Sequence, residues 1–150
     1  MTEAVSPVKR FDRARIVGML LAVVGLLDAA YLAYVKLTNQ LASCSNIGDC
    51  EKVNSSRFAD IGGVPIAVLG AVGFALILVA MALDHPGGRW QDTGRYAFFG
   101  LTLVGTLYSA YLTYIELFVL RAVCPFCVLS AIVMVALFAL SIGRLRALED

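Results

Sequence analysis

A chain of 150 residues with 60% hydrophobic residues and a mean hydropathy of +0.83 cannot hide its apolar surface in one aqueous core, so it reads as an integral membrane protein of one domain. A net charge of +1, with the basic residues gathered at segment ends, excludes nucleic acid as a partner. A single histidine, His85, leaves no room for a histidine-based metal site or a Ser-His-Asp triad.

The first 15 residues are polar and basic, with Lys9, Arg10, Arg13 and Arg15. Ile16–Leu37 then runs for 22 apolar residues. At about 1.5 Å per residue that crosses about 30 Å of hydrocarbon. It is too long for a signal-peptide core, and no small-residue cleavage site suits it. Residues 38–63 form a polar loop carrying Cys44 and Cys50. Val64–Leu83 is the second predicted span, with Gly62-Gly63 breaking the chain before it and Pro65 in its first turn. A turn-rich connection holds His85, Pro86, Gly87 and Gly88, and the third span is Tyr96–Leu120. Arg121-Ala122-Val123 leads into Cys124-Pro125-Phe126-Cys127, which opens the fourth span, Cys124–Gly143. The fold class expected is an all-α integral membrane protein: a four-transmembrane-helix bundle with an extracytoplasmic loop between spans one and two.

Lys and Arg counts set the orientation. Lys9, Arg10, Arg13, Arg15, Arg89, Arg95, Arg144 and Arg146 fall on one side, and Lys36, Lys52, Arg57 and Arg121 on the other. The bias puts both termini in the cytoplasm of a plasma (inner) membrane protein. All four cysteines then share the outer side, where disulfides persist. An offset of 80 also aligns Tyr31, Tyr34 and Cys44 with Tyr111, Tyr114 and Cys124. Two apolar helices with similar tyrosine belts account for that likeness by composition alone.

The cysteines carry the chemistry. Cys44 and Cys50, six apart, suit a loop disulfide, with Gly48 helping the turn. The two-residue spacing of Cys124 and Cys127 is common in thiol–disulfide exchange proteins. If Cys124 caps a helix, Pro125 takes the first helical position, where its missing N–H costs nothing. The dipole of that helix N-terminus favours a thiolate, so Cys127 is expected to titrate below the free-cysteine value of about 8.5. Two pairs on one face suggest a relay, since a thiolate attacks a disulfide through a mixed disulfide. The relay needs a final acceptor, and no haem ligand set, flavin fingerprint or nucleotide motif is present. A lipid-soluble quinone reaching the bundle sideways suits that role. The alternative is a non-enzymatic four-span protein with structural disulfides, or with a four-thiolate zinc site; the six-residue step is loose for zinc, and no metal is expected.

These residues resemble the vitamin K epoxide reductase (VKOR) family, and its bacterial disulfide-forming members in particular. The resemblance rests on Cys44-x5-Cys50, Val53, Ser55-Ser56-Arg57-Phe58-Ala59, Gly63-Val64-Pro65, Gly70 and Cys124-Pro125-Phe126-Cys127, and covers nearly the whole chain. The loop pair precedes the C-x-x-C pair, unlike the order in bacterial DsbB. The resemblance implies that Cys44 takes electrons from a partner, that Cys50 exchanges with Cys124, and that Cys127 faces the quinone, of menaquinone or ubiquinone type. It also implies that Ser56 donates its hydroxyl to a quinone carbonyl and that Phe58 lines the site. From the residues alone, Ser56 reads as a turn cap and Phe58 as an interface anchor. Vertebrate members carry a tyrosine where this chain has Ala131, which counts against epoxide reduction. Many bacterial members carry a fused thioredoxin-like domain. This chain stops at Asp150, so the expected partner is a separate DsbA-like thioredoxin-fold thiol oxidase.

Three charged residues sit in apolar runs. Asp28, near the middle of span one, is expected to be protonated or hydrogen-bonded inside the bundle, with a tyrosine as candidate partner. Lys36 and Glu116 lie at similar depth near the outer ends of spans one and three, placed to pair with each other or to snorkel.

Overall fold

The computed structural model describes residues 7–40 and 48–149, with side chains from Arg13 onward except Leu148. Its helices are α1 (Pro7–Leu37), α2 (Cys50–Asn54), α3 (Ile66–Leu83), α4 (Gln91–Tyr114) and α5 (Pro125–Glu149). Helices α1, α3, α4 and α5 are long and apolar enough to cross a membrane. The protein is a four-helix membrane bundle.

The four long helices form a ring. Helix α1 packs on α3 and α5, and α4 packs on the same two, so α1 and α4 face each other across the bundle. The core between them is built from Ala22, Ala29, Phe74, Ile77, Met81, Phe98 and Leu137. Close approach is made possible by small residues: a Cβ on Gly25 would run into the Phe74 ring, and one on Gly94 would meet the Ala80 carbonyl oxygen at 2.7 Å. Leu20, Leu27, Val104, Leu107 and Ile132 point outward and are exposed, as lipid-facing residues must be.

The long helices outrun the apolar stretches that identify them. Helix α1 begins at Pro7, α4 at Gln91, and α5 runs on to Glu149. Hydropathy marks only the part of a helix that sits in lipid, while Arg, Ala and Leu extend it into water at little cost. The second span starts later than its hydropathy suggests, at Ile66. Val64–Pro65 (β2) is taken by a two-strand antiparallel pair with Asp60–Ile61 (β1), Asp60 opposite Pro65. Pro65 is therefore the residue before α3 and not part of its first turn. Gly62 and Gly63, with φ of +60° and +86°, make the reversal between the strands.

At the end of the bundle away from the cysteines, Asp84 closes α3 and is wholly buried. Its carboxylate meets Arg95 Nε of α4 at 3.0 Å and Arg144 Nη2 of α5 at 2.6 Å. Arg15 of α1 donates to the Met81 carbonyl at 3.3 Å beside it. His85 lies exposed in the following turn.

Candidate functional site

The site lies at the other end, where the first connection folds back onto the start of α5. Cys124 precedes α5 and accepts its first helical bond, Val128 N–H to Cys124 O at 3.1 Å, which makes Cys124 the N-cap and Pro125 the first helical residue. The Phe126 ring stacks on Tyr31 of α1 with centroids 5.3 Å apart, which fixes the turn against the bundle.

The loop is clamped to this turn through its backbone. Asp49 N–H donates to the Val123 carbonyl at 3.0 Å. Gly48 sits beside it with φ +99°, and a Cβ there would meet Val123 O at 2.5 Å and Pro125 Cδ at 2.9 Å. Only glycine fits that position. The clamp delivers Cys50, at the start of α2, so that its sulfur lies 3.4 Å from Cys124 Sγ. Both cysteines are buried, at 2% and 1% exposure, so water does not compete for the contact. Cys50 is itself disulfide-bonded, whereas Cys124 and Cys127 are free thiols. Cys44 lies outside the described residues.

Cys124 is set up as the thiolate of its pair. Its pKa is held below the ordinary thiol value, first by the hydrogen bond with the Cys127 thiol and then by the backbone N–H groups of Cys127 and Phe126, against the cost of burial. The helix N-terminus thus favours charge on Cys124, the capping residue, and not on Cys127 as the C-x-x-C spacing alone suggests. The difference is one of place: the free N–H groups of a first turn converge on the cap, three residues before Cys127. A thiolate 3.4 Å from a disulfide sulfur is within the about 3–3.5 Å of a near-attack arrangement. The chemistry this geometry allows is thiol–disulfide exchange between Cys124 and Cys50.

Cys127, like Cys124, lies on the wall of a cavity of about 670 Å³, within the range of small-molecule sites. The wall is mainly apolar, from α1, α3, α4 and α5, with Ser56 and Phe58 of the loop and Ala131, one turn after Cys127, also lining it. Past Gly73 and Gly100 the space is open, with nothing within 4 Å of where a Cβ would stand at either. An apolar cavity with a thiol at one end fits a flat ring on a hydrocarbon tail. The Ser56 hydroxyl donates to the Val53 carbonyl at 2.8 Å and makes no side-chain capping bond, so donation to a ligand requires it to rotate. Phe58 is covered on one face by the Arg57 guanidinium, 5.0 Å from the ring centre.

The charged residues of the apolar runs find partners other than those expected. Lys36 pairs with Asp60 at 3.3 Å and donates to the Asn54 carbonyl, which ties α1 to the loop. It does not reach Glu116, because α1 and α4 stand on opposite sides of the ring. Asp28 accepts a hydrogen bond from Ser130 of α5, not from a tyrosine. Glu116 turns inward and lines the cavity, 5% exposed. Sequence reasoning placed it at the membrane interface; the signal that marks it is an acid inside the apolar run Ile115–Leu120, eight residues before Cys124.

Comparison with known proteins agrees with this arrangement. Residues 16–142 match the model of the vitamin K epoxide reductase family. The chain is 35% identical over 130 residues to the thiol-disulfide oxidoreductase LTO1 of Arabidopsis thaliana, an alignment covering 83% of this chain and 35% of that protein. The chain thus spans about a third of the length of this curated relative. The family match runs through all four long helices and takes in the loop cysteines, the C-x-x-C turn and the cavity wall between them, so this chain belongs to the vitamin K epoxide reductase family.

Proposed function

We propose that this protein is a quinone-dependent thiol–disulfide oxidoreductase of the plasma (inner) membrane, with both termini cytoplasmic. Electrons pass from a reduced extracytoplasmic partner, a separate DsbA-like thiol oxidase, to Cys44 and Cys50, then to Cys124 and Cys127, then to a quinone of menaquinone or ubiquinone type. The observation that carries this reading is a junction at the cysteine turn. Cys124 lies 3.4 Å from Cys50 of the loop, and both Cys124 and its partner Cys127 lie on the wall of the cavity. Free thiols at Cys124 and Cys127 beside a bonded Cys50 argue against two inert staples. The name of the relative, a thiol-disulfide oxidoreductase, supports the same chemistry.

The roles follow from position. The Cys124 contact serves exchange in either direction, by microscopic reversibility. Ser56, Phe58 and Cys127 would hold the quinone, which as electron acceptor draws the pair to its disulfide. A partner poised near about −120 mV can be re-oxidised only by an acceptor more oxidising than itself, and a quinone pool meets that need. For orientation, burial of Arg95 and Arg144 in ion pairs leaves six basic residues against four, and the bias keeps its sign.

The test is quinone reduction by the purified protein in detergent, driven first by a small dithiol and then by a reduced thioredoxin-fold protein. Turnover by the parent, none by Cys127→Ala, and loss in Cys44→Ala only with the protein donor support the relay and its order. A parent that reduces no quinone, or a Cys127→Ala variant that keeps full turnover, refutes it.

A further inference from the structure

Glu116 has no part in the relay as drawn from the cysteines, yet it is placed on the reacting atoms. After Tyr114 the helix widens into a π-helical turn, Ile115–Leu120, which ends at Arg121 in the left-handed conformation, φ +49°. Such turns recur at functional sites because they re-aim side chains. This one turns Glu116 away from lipid and beneath the cysteine turn. Its carboxylate lies close enough to the Cys124 backbone N–H and the Cys127 thiol to interact with both. The Ala122 N–H returns to the Glu116 carbonyl at 3.0 Å, which fixes the residue at both its backbone and its side chain. The Cys127 thiol therefore stands between the Cys124 sulfur and the Glu116 carboxylate, on the cavity wall that Glu116 also lines.

We propose that Glu116 is the catalytic base that takes the Cys127 proton when the pair is oxidised; the assignment of the acceptor rests on the function proposed above. The Cys127 S–H bond breaks and its proton goes to a Glu116 oxygen. The Cys124–Cys127 bond then forms, and two electrons leave to the quinone. The Glu116 proton and one from water complete the quinol. The other titratable groups near Glu116 are Cys124 and Cys127 at the start of α5 and Tyr108 of α4 on the cavity wall, with Cys50 held in its disulfide. Glu116 is the one carboxylate among the described residues lining the cavity, and it shares that wall with the thiol that must lose a proton.

The test is Glu116→Gln in the full chain, a change that keeps shape and an acceptor oxygen for the Cys124 N–H. Three quantities are read: quinone reduction, closure of the Cys124–Cys127 bond by Cys127 attack on a mixed disulfide placed on Cys124 with a small thiol, and Cys50–Cys124 exchange. Quinone reduction and closure by Cys127 are expected to fall by about 100-fold or more, the usual contribution of a positioned base. Exchange at Cys124, whose thiolate is held by backbone N–H groups, is expected to continue, and Glu116→Asp to restore part of the lost rate. Closure at the parent's rate in Glu116→Gln overturns the proposal, as does an equal loss of exchange, which would mark a structural role. If the parent reduces no quinone, the acceptor is wrong, and the closure rate still decides the base.

Discussion

The sulfur of Cys124 is where chain direction becomes chemistry. It caps α5, so the first-turn N–H groups that no helical carbonyl can reach are directed at it. Its pKa is lowered by the Cys127 thiol and these donors, so the folded chain releases this proton more readily than the unfolded one. The sign follows: stability from this group is fully present above the unfolded cysteine pKa of about 8.5 and is lost as pH falls through the lowered folded value. Exchange at Cys124 should persist below pH 8.5, the ordinary cysteine value of about that size. Thiolate absorbance in the ultraviolet, followed against pH, should show a step below that value that is missing in Cys124→Ser. A step that survives the substitution assigns the thiolate elsewhere. The cysteine spacing alone made the motif legible, but not which sulfur carries the charge, because that depends on where the helix begins to within one residue.

At the scale of elements, the long helices were legible because lipid demands unbroken apolar runs and closed backbone hydrogen bonding. Much of what joins them was not. Helix α2 and the β1–β2 pair are too short to leave a periodic pattern, and they form because the loop is held to Val123 and to Lys36. The same blindness hid the charge cluster at the far end. Arg95 and Arg144 read as membrane-edge charges, yet both are buried against Asp84, at 7% and 3% exposure. A carboxylate at the C-terminal end of α3 opposes the helix dipole, and the two guanidiniums offset it while tying α3 to α4 and α5. Removing one partner from a buried ionic cluster leaves the others uncompensated. Asp84→Ala is therefore expected to cost about 3–5 kcal/mol. Unfolding in detergent micelles should show it as a large loss, with the cysteine end intact at low temperature. A loss no greater than that of an exposed pair would mean the cluster holds nothing together.

The whole molecule divides its work along the bundle axis. One end is locked by ion pairs, the other carries an exchange contact that must open and close, and the cavity lies between them under the cysteine turn. The helices do not pack fully around that cavity at Gly73 and Gly100, which line it and offer it no side chains. Glycine normally weakens a helix by about 0.5–1 kcal/mol relative to alanine, a cost that packing recovers where helices touch. At Gly73 nothing lies within 4 Å of a Cβ, so no packing recovers it there, and open volume for a ligand is the function left to explain it. Gly73→Leu should then hold or raise thermal stability, since the helix gains a better former and the side chain enters empty space. The same side chain should crowd the acceptor: KM for quinone is expected to rise by about tenfold, from about 1–3 kcal/mol of overpacking. Cys50–Cys124 exchange, on the other side of the turn, should be unchanged. If stability falls while KM holds, the space past Gly73 is not where the acceptor binds. If KM alone rises, the cavity wall, and not the cysteine turn, sets which acceptors are admitted.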